Sequence, residues 1–395
     1  MKTLKTLAII LAGALAFVGC DNTSIGGDDK GKSKFKISFD DAYIYNDGED
    51  YAVLTATFNG VPVDYADFVI FDESDEFVEF PIVDGEMRFS STKIGKYKFS
   101  AIYGSFESTT SIEVIQTPPT APEAPVDNNP TKTNFVRRSL LIQFTGTSCG
   151  YCPYMMNALD KVSKDSKYND TYVLAAAHNY GDGDPALILD ALSLPAALGV
   201  ASYPSINVDM AVTSKDRNSE SIKSLLNDAK NRTTVKGGIA ANVQYYEEEG
   251  YVIATLLVKA KESGEFRVGA WLLEDGIEAT QTNGGATPNQ GLNFNLHNNS
   301  IRRAKVSRQT SSDYTGLNLG YIEAGQTAVK SFAFPLKKHG EKGSQTEWNH
   351  NNLRVIAYIS TLEGDKWYVN NVVNLYNKEK ETEKAYGLFD FEYTE

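Results

Sequence analysis

The residues from Arg138 to Lys164, R-S-L-L-I-Q-F-T-G-T-S-C-G-Y-C-P-Y-M-M-N-A-L-D-K-V-S-K, constrain the fold more than any other stretch of the chain. Leu140-Leu141-Ile142-Gln143-Phe144 has the length and composition of a buried strand. Thr145-Gly146-Thr147-Ser148 turns the chain, and Met155, Leu159 and Val162, spaced i, i+4, i+7, then mark one face of a helix. Cys149-Gly150-Tyr151-Cys152 therefore falls where a strand ends and a helix begins. Unpaired amides and the macrodipole at a helix N-terminus favour the thiolate, the reactive form of cysteine. A Cys149–Cys152 disulfide closes a ring too small to constrain the unfolded chain, so a purely structural staple is disfavoured. Zinc needs about four ligands, whereas the chain has three cysteines and four scattered histidines, so no metal is expected.

The chain opens M-K-T-L-K-T-L-A-I-I-L-A-G-A-L-A-F-V-G-C. Lys2 and Lys5 make a basic start, and the apolar run Leu7 to Val18 is too short for a comfortable transmembrane helix, so it reads as an export signal. Gly19-Cys20 resembles a bacterial lipobox, although Phe17 stands where that pattern usually has leucine. The expectation is a signal peptide over 1–19, lipidation of Cys20 and a flexible tether over 20–34, holding the protein to a membrane without spanning it. The alternative is an ordinary signal peptide with an incidental cysteine. A formal net charge of −13 argues against nucleic-acid partners and offers no basic patch to anionic lipid. With one cysteine assigned to the anchor and two to C-x-x-C, no disulfide framework joins the domains, and export places the pair where disulfides persist.

From 35 to 116 the pattern is all-β. Tyr51 to Phe58 alternates and ends at the turn pair Asn59-Gly60, and Phe68–Phe71, Glu86–Phe89, Gly95–Tyr103 and Ser111–Ile115 add short strands at sandwich spacing. The ending G-K-Y-K-F-S-A-I-Y-G-S-F-E-S-T-T-S-I-E-V-I resembles the last hairpin of cysteine-free bacterial immunoglobulin-like domains, which implies a spacer module. Residues 117–134 carry Pro118, Pro119, Pro122, Pro125 and Pro130 and read as a semi-rigid linker, extending about 3.1 Å per residue.

After the C-x-x-C helix, Tyr172 to Ala177 is a second apolar strand, and a strand–helix–strand order implies a parallel βαβ unit. Its strands end at the same edge, so His178 is expected near Cys149, either tuning the thiol and contacting substrate or serving as a satisfied edge residue. Asp184-Pro185 suits a helix start, with Leu187, Ile188, Ala191 and Leu192 as its face and Gly199 as its stop. Ile222, Leu225, Leu226 and Ala229 mark a last helix.

This order resembles the thioredoxin fold. F-T-G-T-S-C-G-Y-C is similar to the active-site segment of bacterial periplasmic disulfide isomerases, and no tryptophan precedes Cys149 as it does in thioredoxins proper. A-A-L-G-V-A-S-Y-P-S-I-N-V resembles the segment carrying their cis-proline, which implies a cis Tyr203-Pro204 bond. Signal, module, C-x-x-C domain and β-rich tail together resemble the twenty-eight-kilodalton outer-membrane lipoprotein family, over Thr133 to about Tyr393. The resemblance implies Cys149 as attacking thiolate and Cys152 as resolving thiol. Gly150 and Tyr151 would tune the potential, and Tyr203 and Pro204 would present backbone to a substrate strand.

Residues 234–395 alternate again, with strands over Phe266–Leu273, Thr327–Phe334, Leu353–Thr361 and Lys366–Val373. Asn283 to Gly291 is a glycine- and asparagine-rich loop, binding or simply mobile. The expected architecture is multidomain α+β: an N-terminal immunoglobulin-like β-sandwich (35–116), a central thioredoxin-like α/β domain (135–233) and a C-terminal antiparallel β-sandwich (234–395). No phosphate loop, dinucleotide fingerprint or nucleophile elbow is present, and no cofactor is expected. The functional expectation is a lipid-anchored outer-membrane or cell-surface protein exchanging disulfides with exported proteins. Its rival is a surface lipoprotein that binds a partner or polymer on the same scaffold. Oligomeric state has no sequence signal.

Overall fold

The computed structural model describes residues 35–41, 43–181, 183–188, 193–304, 314–336, 348–378, 380 and 384–395. The export signal, the tether and Cys20, and also Ala191 and Leu192, lie outside the described residues. The chain forms two compact units, Met1–Ile115 and Gln116–Glu395.

The first unit contains β1 (Phe35–Phe39), β2 (Tyr43–Tyr45), β3 (Ala52–Phe58), β4 (Val61–Pro62), β5 (Val69–Phe71), β6 (Ile82–Val83), β7 (Glu86–Phe89), β8 (Gly95–Tyr103) and β9 (Phe106–Ile115). They form two sheets, β1-β3-β7-β6 with β4 beside β3, and β2-β9-β8-β5. Alternation along β3 buries Ala52, Leu54 and Ala56 and leaves Thr55 out, which is how a period of two puts one face into a core. Asn59 and Gly60 both take positive φ, the geometry that a two-residue hairpin turn requires between Phe58 and Val61. Phe35, Ile37, Leu54, Phe99 and Ile112 share one apolar cluster.

The second unit begins with β10 (Ser139–Thr145), α1 (Cys152–Ser163), β11 (Tyr172–His178), α2 (Leu194–Ala197), β12 (Ser205–Val208), β13 (Val212–Ser214) and α3 (Ser219–Arg232). Next come β14 (Gly237–Tyr246), β15 (Tyr251–Ala260), β16 (Gly264–Glu274), β17 (Ile277–Glu278), β18 (Leu296–His297) and β19 (Ser300–Arg303). Last are β20 (Leu317–Ile322), β21 (Thr327–Pro335), β22 (Leu353–Glu363), β23 (Lys366–Leu375) and β24 (Gly387–Phe389).

One nine-stranded sheet runs β13-β12-β10-β11-β19-β16-β22-β23, with β20 also paired to β16. β10 and β11 are parallel, with Leu141 opposite Leu174, and β12 returns antiparallel on the other side of β10. Leu140, Ile142 and Phe144 face one core, whereas Leu141 faces α1 and α3. On α1 the predicted stripe Met155, Leu159 and Val162 is buried against this sheet, worth about 1.5–3 kcal/mol for each fully buried side chain. Asn218 caps α3 by accepting from Ser221 N at 2.8 Å, and Ile222, Leu226 and Ala229 are buried below it. A four-stranded sheet, β21-β15-β14-β24, shares an apolar core with β16 and β22.

The expected fold class is overturned. The chain is mostly β, 45% strand against 11% helix, with three α-helices among the described residues, and it holds no self-contained central thioredoxin-like α/β domain. The strands expected to close such a domain are instead half of a sheet completed by the C-terminal segment. The physical reason is β11, buried along nearly its whole length, whose free edge must find another strand. β19 supplies it, pairing parallel at Ala176–Ser300, and antiparallel β16, β22 and β23 continue the sheet. The expected separate C-terminal sandwich disappears with it, since its strands divide between the nine-stranded and four-stranded sheets.

One further expectation changes. Leu187 does not continue a helix: it bridges His178, and Ile188 N donates to the His178 carbonyl at 3.0 Å. The proline-rich segment, read as a semi-rigid linker, lies against β14 and β15. Pro122 and Pro125 are buried, and Asn242 Nδ2 donates to Glu123 O at 2.9 Å. The fully buried Lys259 ammonium meets Asp127 at 2.7 Å and Asn129 O at 2.9 Å, which a charge removed from water requires.

Candidate functional site

The C-terminal end of β10 opens into a tight turn. Cys149 N donates to Gly146 O at 3.1 Å and Cys152 N to Cys149 O at 3.2 Å, so α1 begins at Cys152, with Pro153 in its first turn. Cys149 and Cys152 are joined as a disulfide, with Cα atoms 5.4 Å apart. Both are buried, Cys149 at 4% exposure and Cys152 at 0%, so the thiol expected to attack is covered in the oxidised form.

Register brings the other predicted residues to this edge. His178 is opposite Thr145 on β11, and Ser205 is opposite Phe144 on β12, which sets Pro204 one step further towards the turn. The Tyr203–Pro204 peptide is cis. Pro204 is buried and Tyr203 half-buried, its ring 5.1 Å from that of exposed Tyr180 and its hydroxyl 3.5 Å from Asn179 O. Burial raises the Tyr203 phenol. Tyr151 projects into solvent at 59% exposure, with the Arg217 guanidinium 5.0 Å from its ring centre and 5.9 Å from that of Tyr154.

His178 is buried and committed. Its Nδ1 lies 2.8 Å from Asp184 Oδ2, which also accepts Thr147 N at 2.8 Å, while Asp184 Oδ1 accepts Ala186 N at 2.9 Å. Burial pushes the Asp184 carboxyl up, but the His178 bond and charge and the two backbone donors outweigh it and hold it down at about 2. Asp184 is therefore ionised and His178 Nδ1 carries the proton. The His297 ring stands edge-on to His178 at 5.2 Å. Burial first, and then the neighbouring His178 charge, lower His297 to about 4, so it is neutral at pH 7, with Nε2 3.3 Å from Ala279 O. Among the described residues, no group of three or more His, Cys, Asp or Glu is placed to hold a metal ion.

Two glycines make this packing possible. A Cβ on Gly146 would sit 2.2 Å from the Tyr180 carbonyl oxygen, and one on Gly181, at φ +89°, would sit 2.1 Å from Ser148 Oγ. Beside them a cavity of ≈ 280 Å³ is lined by Thr147, Ser148, Gly181, Gly183, Asp184, Thr280 and Thr282.

The glycine- and asparagine-rich loop, with the residues just before it, is bonded to the turn. Thr282 N donates to Thr147 O and Gly284 N to Gly150 O, both at 2.7 Å. Gln281 Nε2 donates into the turn itself, to the Gly146, Thr147 and Cys149 carbonyls. Further along, Asn157 Nδ2 donates to Thr287 O at 2.8 Å, and Asn289 Nδ2 reaches Asn157 O and Asp160 Oδ2, both at 2.8 Å. Residues 281–290 thus form a strap stitched to the Cys149–Cys152 turn and to one side of α1. Gln281, Thr282 and Asn289 carry no motif, and their partners lie some 130 positions away in sequence.

No family model matches the chain, and no curated protein matches it significantly. Among solved structures it is similar to HBP35 of Porphyromonas gingivalis at 17% identity and TM-score 0.47, over 65% of this chain and 78% of that one. It is also similar to Yersinia pseudotuberculosis InvD at 12% identity and TM-score 0.16, over 87% of this chain and 97% of that one. Both likenesses are too slight to carry an argument about this chain, and neither bears on the resemblance to the twenty-eight-kilodalton lipoproteins.

Proposed function

We propose that the chain carries a thiol–disulfide exchange site and acts on exported proteins while held to the cell envelope through a lipid on Cys20. The observation that carries the chemistry is the bonded Cys149–Cys152 pair, two residues apart in the turn between β10 and α1. Such a ring contributes little as a staple, and the turn fixes both sulfurs at one place on the chain. In the reduced form the Cys149 thiolate attacks one sulfur of a client disulfide, forming a mixed disulfide and releasing the other client sulfur as a thiolate. The Cys152 thiolate then attacks Cys149 Sγ, expelling the second client thiolate and re-forming the Cys149–Cys152 bond. Each departing thiolate takes up a proton from water. Exposed Tyr151 and Tyr180 and half-buried Tyr203 offer an aromatic rim on which a client segment can rest.

The envelope address rests on the sequence of residues 1–34. Among the described residues, no helix is long and apolar enough to cross a membrane. One observation favours a second reading, a binding protein whose disulfide stays closed: both cysteines are buried, and the strap is bonded to the turn that carries them. A Cys152→Ala variant separates the two. Exchange predicts that its Cys149 accumulates client proteins as mixed disulfides that dithiothreitol releases. An empty trap, with partner binding unchanged when both cysteines become alanine, removes the exchange reading.

A further inference from the structure

Gln281 occupies a place that the exchange chemistry above leaves unexplained. Its Nε2 lies 3.2 Å from Gly146 O, 3.1 Å from Thr147 O, 3.0 Å from Cys149 O and 3.1 Å from Thr282 O. The side chain is 6% exposed, and its Oε1 has no hydrogen-bond partner. Four acceptors around one atom fix which end of the amide is nitrogen, because the reverse orientation would press an oxygen against four oxygens.

The three turn carbonyls each already have a backbone donor, from Cys149 N, Thr282 N and Cys152 N respectively. Gln281 thus shares its two amide hydrogens among carbonyls that already have a donor and rescues no orphaned group. A trans peptide is planar, with its N–H antiparallel to its C=O, so pinning these carbonyls also orients the N–H groups of Thr147, Ser148 and Gly150. The Gly146–Thr147 peptide is held at both ends, its carbonyl by Gln281 and its N–H by Asp184.

We propose that Gln281 is a positioning residue for the Cys149–Cys152 pair, its amide hydrogens offsetting the negative ends of the turn's peptide dipoles so that Cys149 can hold a thiolate. This rests on the exchange reading above. The disulfide is neutral and asks little of its surroundings. When a dithiol reductant opens it, the S–S bond is replaced by two thiols while the reductant closes its own disulfide, and Cys149 then loses its proton. Negative charge arises only in the reduced form, on the turn that carries these three carbonyls, in a buried site where such interactions are weakly screened. Gln281 therefore favours reduction.

The test equilibrates the full chain with reduced and oxidised glutathione, and follows Cys149 alkylation by iodoacetamide against pH in the reduced protein. Gln281→Met keeps the shape and removes both donors. It is expected to move the equilibrium about tenfold towards the disulfide, a potential about 30 mV lower, and to raise the pH midpoint of alkylation. Equal destabilisation of oxidised and reduced forms, with potential and alkylation profile unchanged, marks Gln281 as merely structural and overturns the proposal. Should Gln281→Met not fold, Gln281→Leu decides the matter: it too offers no donor and adds no charge, so the Cys149 alkylation midpoint must rise above wild type, and an unchanged midpoint overturns the proposal. A wild-type pair that no thiol buffer opens in the folded chain removes the exchange reading itself, a different outcome from a pair that cycles without regard to Gln281.

Discussion

Strand β10 has a buried carboxylate at each end, and the two are built for different tasks. At its start Asp209, on the β12–β13 turn, accepts Leu140 N at 2.8 Å and Ser139 Oγ at 3.2 Å and pairs with Arg137 and Arg232 at 3.1 and 3.2 Å. At its far end Asp184 accepts Thr147 N and His178 Nδ1. Both carboxylates replace lost water with backbone and side-chain donors, as burial demands. Asp209 is pinned by two permanent cations and joins β10, β12 and α3, at the end of β10 away from the cysteine pair. Asp184 pins the peptide that leads into Cys149. The same physical device serves as a structural staple at one end and holds the turn that carries the disulfide at the other.

Removing each carboxylate is the strongest way to break that distinction. Asp184→Ala and Asp209→Ala each leave buried partners uncompensated and are expected to cost about 3–5 kcal/mol in urea unfolding. Asp184→Ala also frees Thr147 N, so dithiothreitol should reduce its disulfide faster than in wild type. Asp209→Ala should keep the wild-type reduction rate at temperatures where it remains folded. Equal acceleration in both variants would show that general loosening, not the Asp184 contact, governs the turn.

The two carboxylates also differ in the sign of their pH dependence. Asp184 is held at about 2, below its ordinary 3.8, so its stabilisation is present above about pH 4 and is lost as pH falls towards 2. Burial pushes Asp209 up to about 6 against the pull of Arg137 and Arg232, so its contribution is present below about pH 4 and is lost as pH rises through 6. Each shift is worth about 2–3 kcal/mol. Unfolding measured from pH 2 to 7 should lose its acid-side slope in Asp184→Asn and its pH 4–6 slope in Asp209→Asn. Identical profiles for the two variants would contradict the contrast.

Local features of this site were legible in the sequence; its closure was not. The apolar run of β10, the Met155–Leu159–Val162 stripe and the Cys149–Cys152 pair are each written in a few neighbouring residues, and the strand, the buried helix face and the bonded pair are seen there; the cis Tyr203–Pro204 bond is present as the resemblance implied. Periodicity says that a strand is buried but not what it pairs with. That is why β11 was assigned to a closed α/β domain when its edge is taken by β19, more than a hundred positions on. The helix expected through Leu187 and Ile188 failed for a related reason: these residues pack and bond beside His178, and tertiary pairing outweighs helical spacing. His178 was seen as a candidate, but its commitment to Asp184 and its contact with His297 join segments with no common motif. Gln281 carried no signal, because a lone glutamine acquires its role only from the carbonyls that the fold places around it.

The central claim is that the buried pair opens and closes reversibly while the chain stays folded. It is tested by incubating the native full-length protein in graded glutathione redox buffers, trapping free thiols, and following circular dichroism in the same samples. The account predicts a single two-electron transition between Cys149–Cys152 disulfide and dithiol, reached from either side, with the folded signal retained throughout. A disulfide that opens only when the protein unfolds would contradict it.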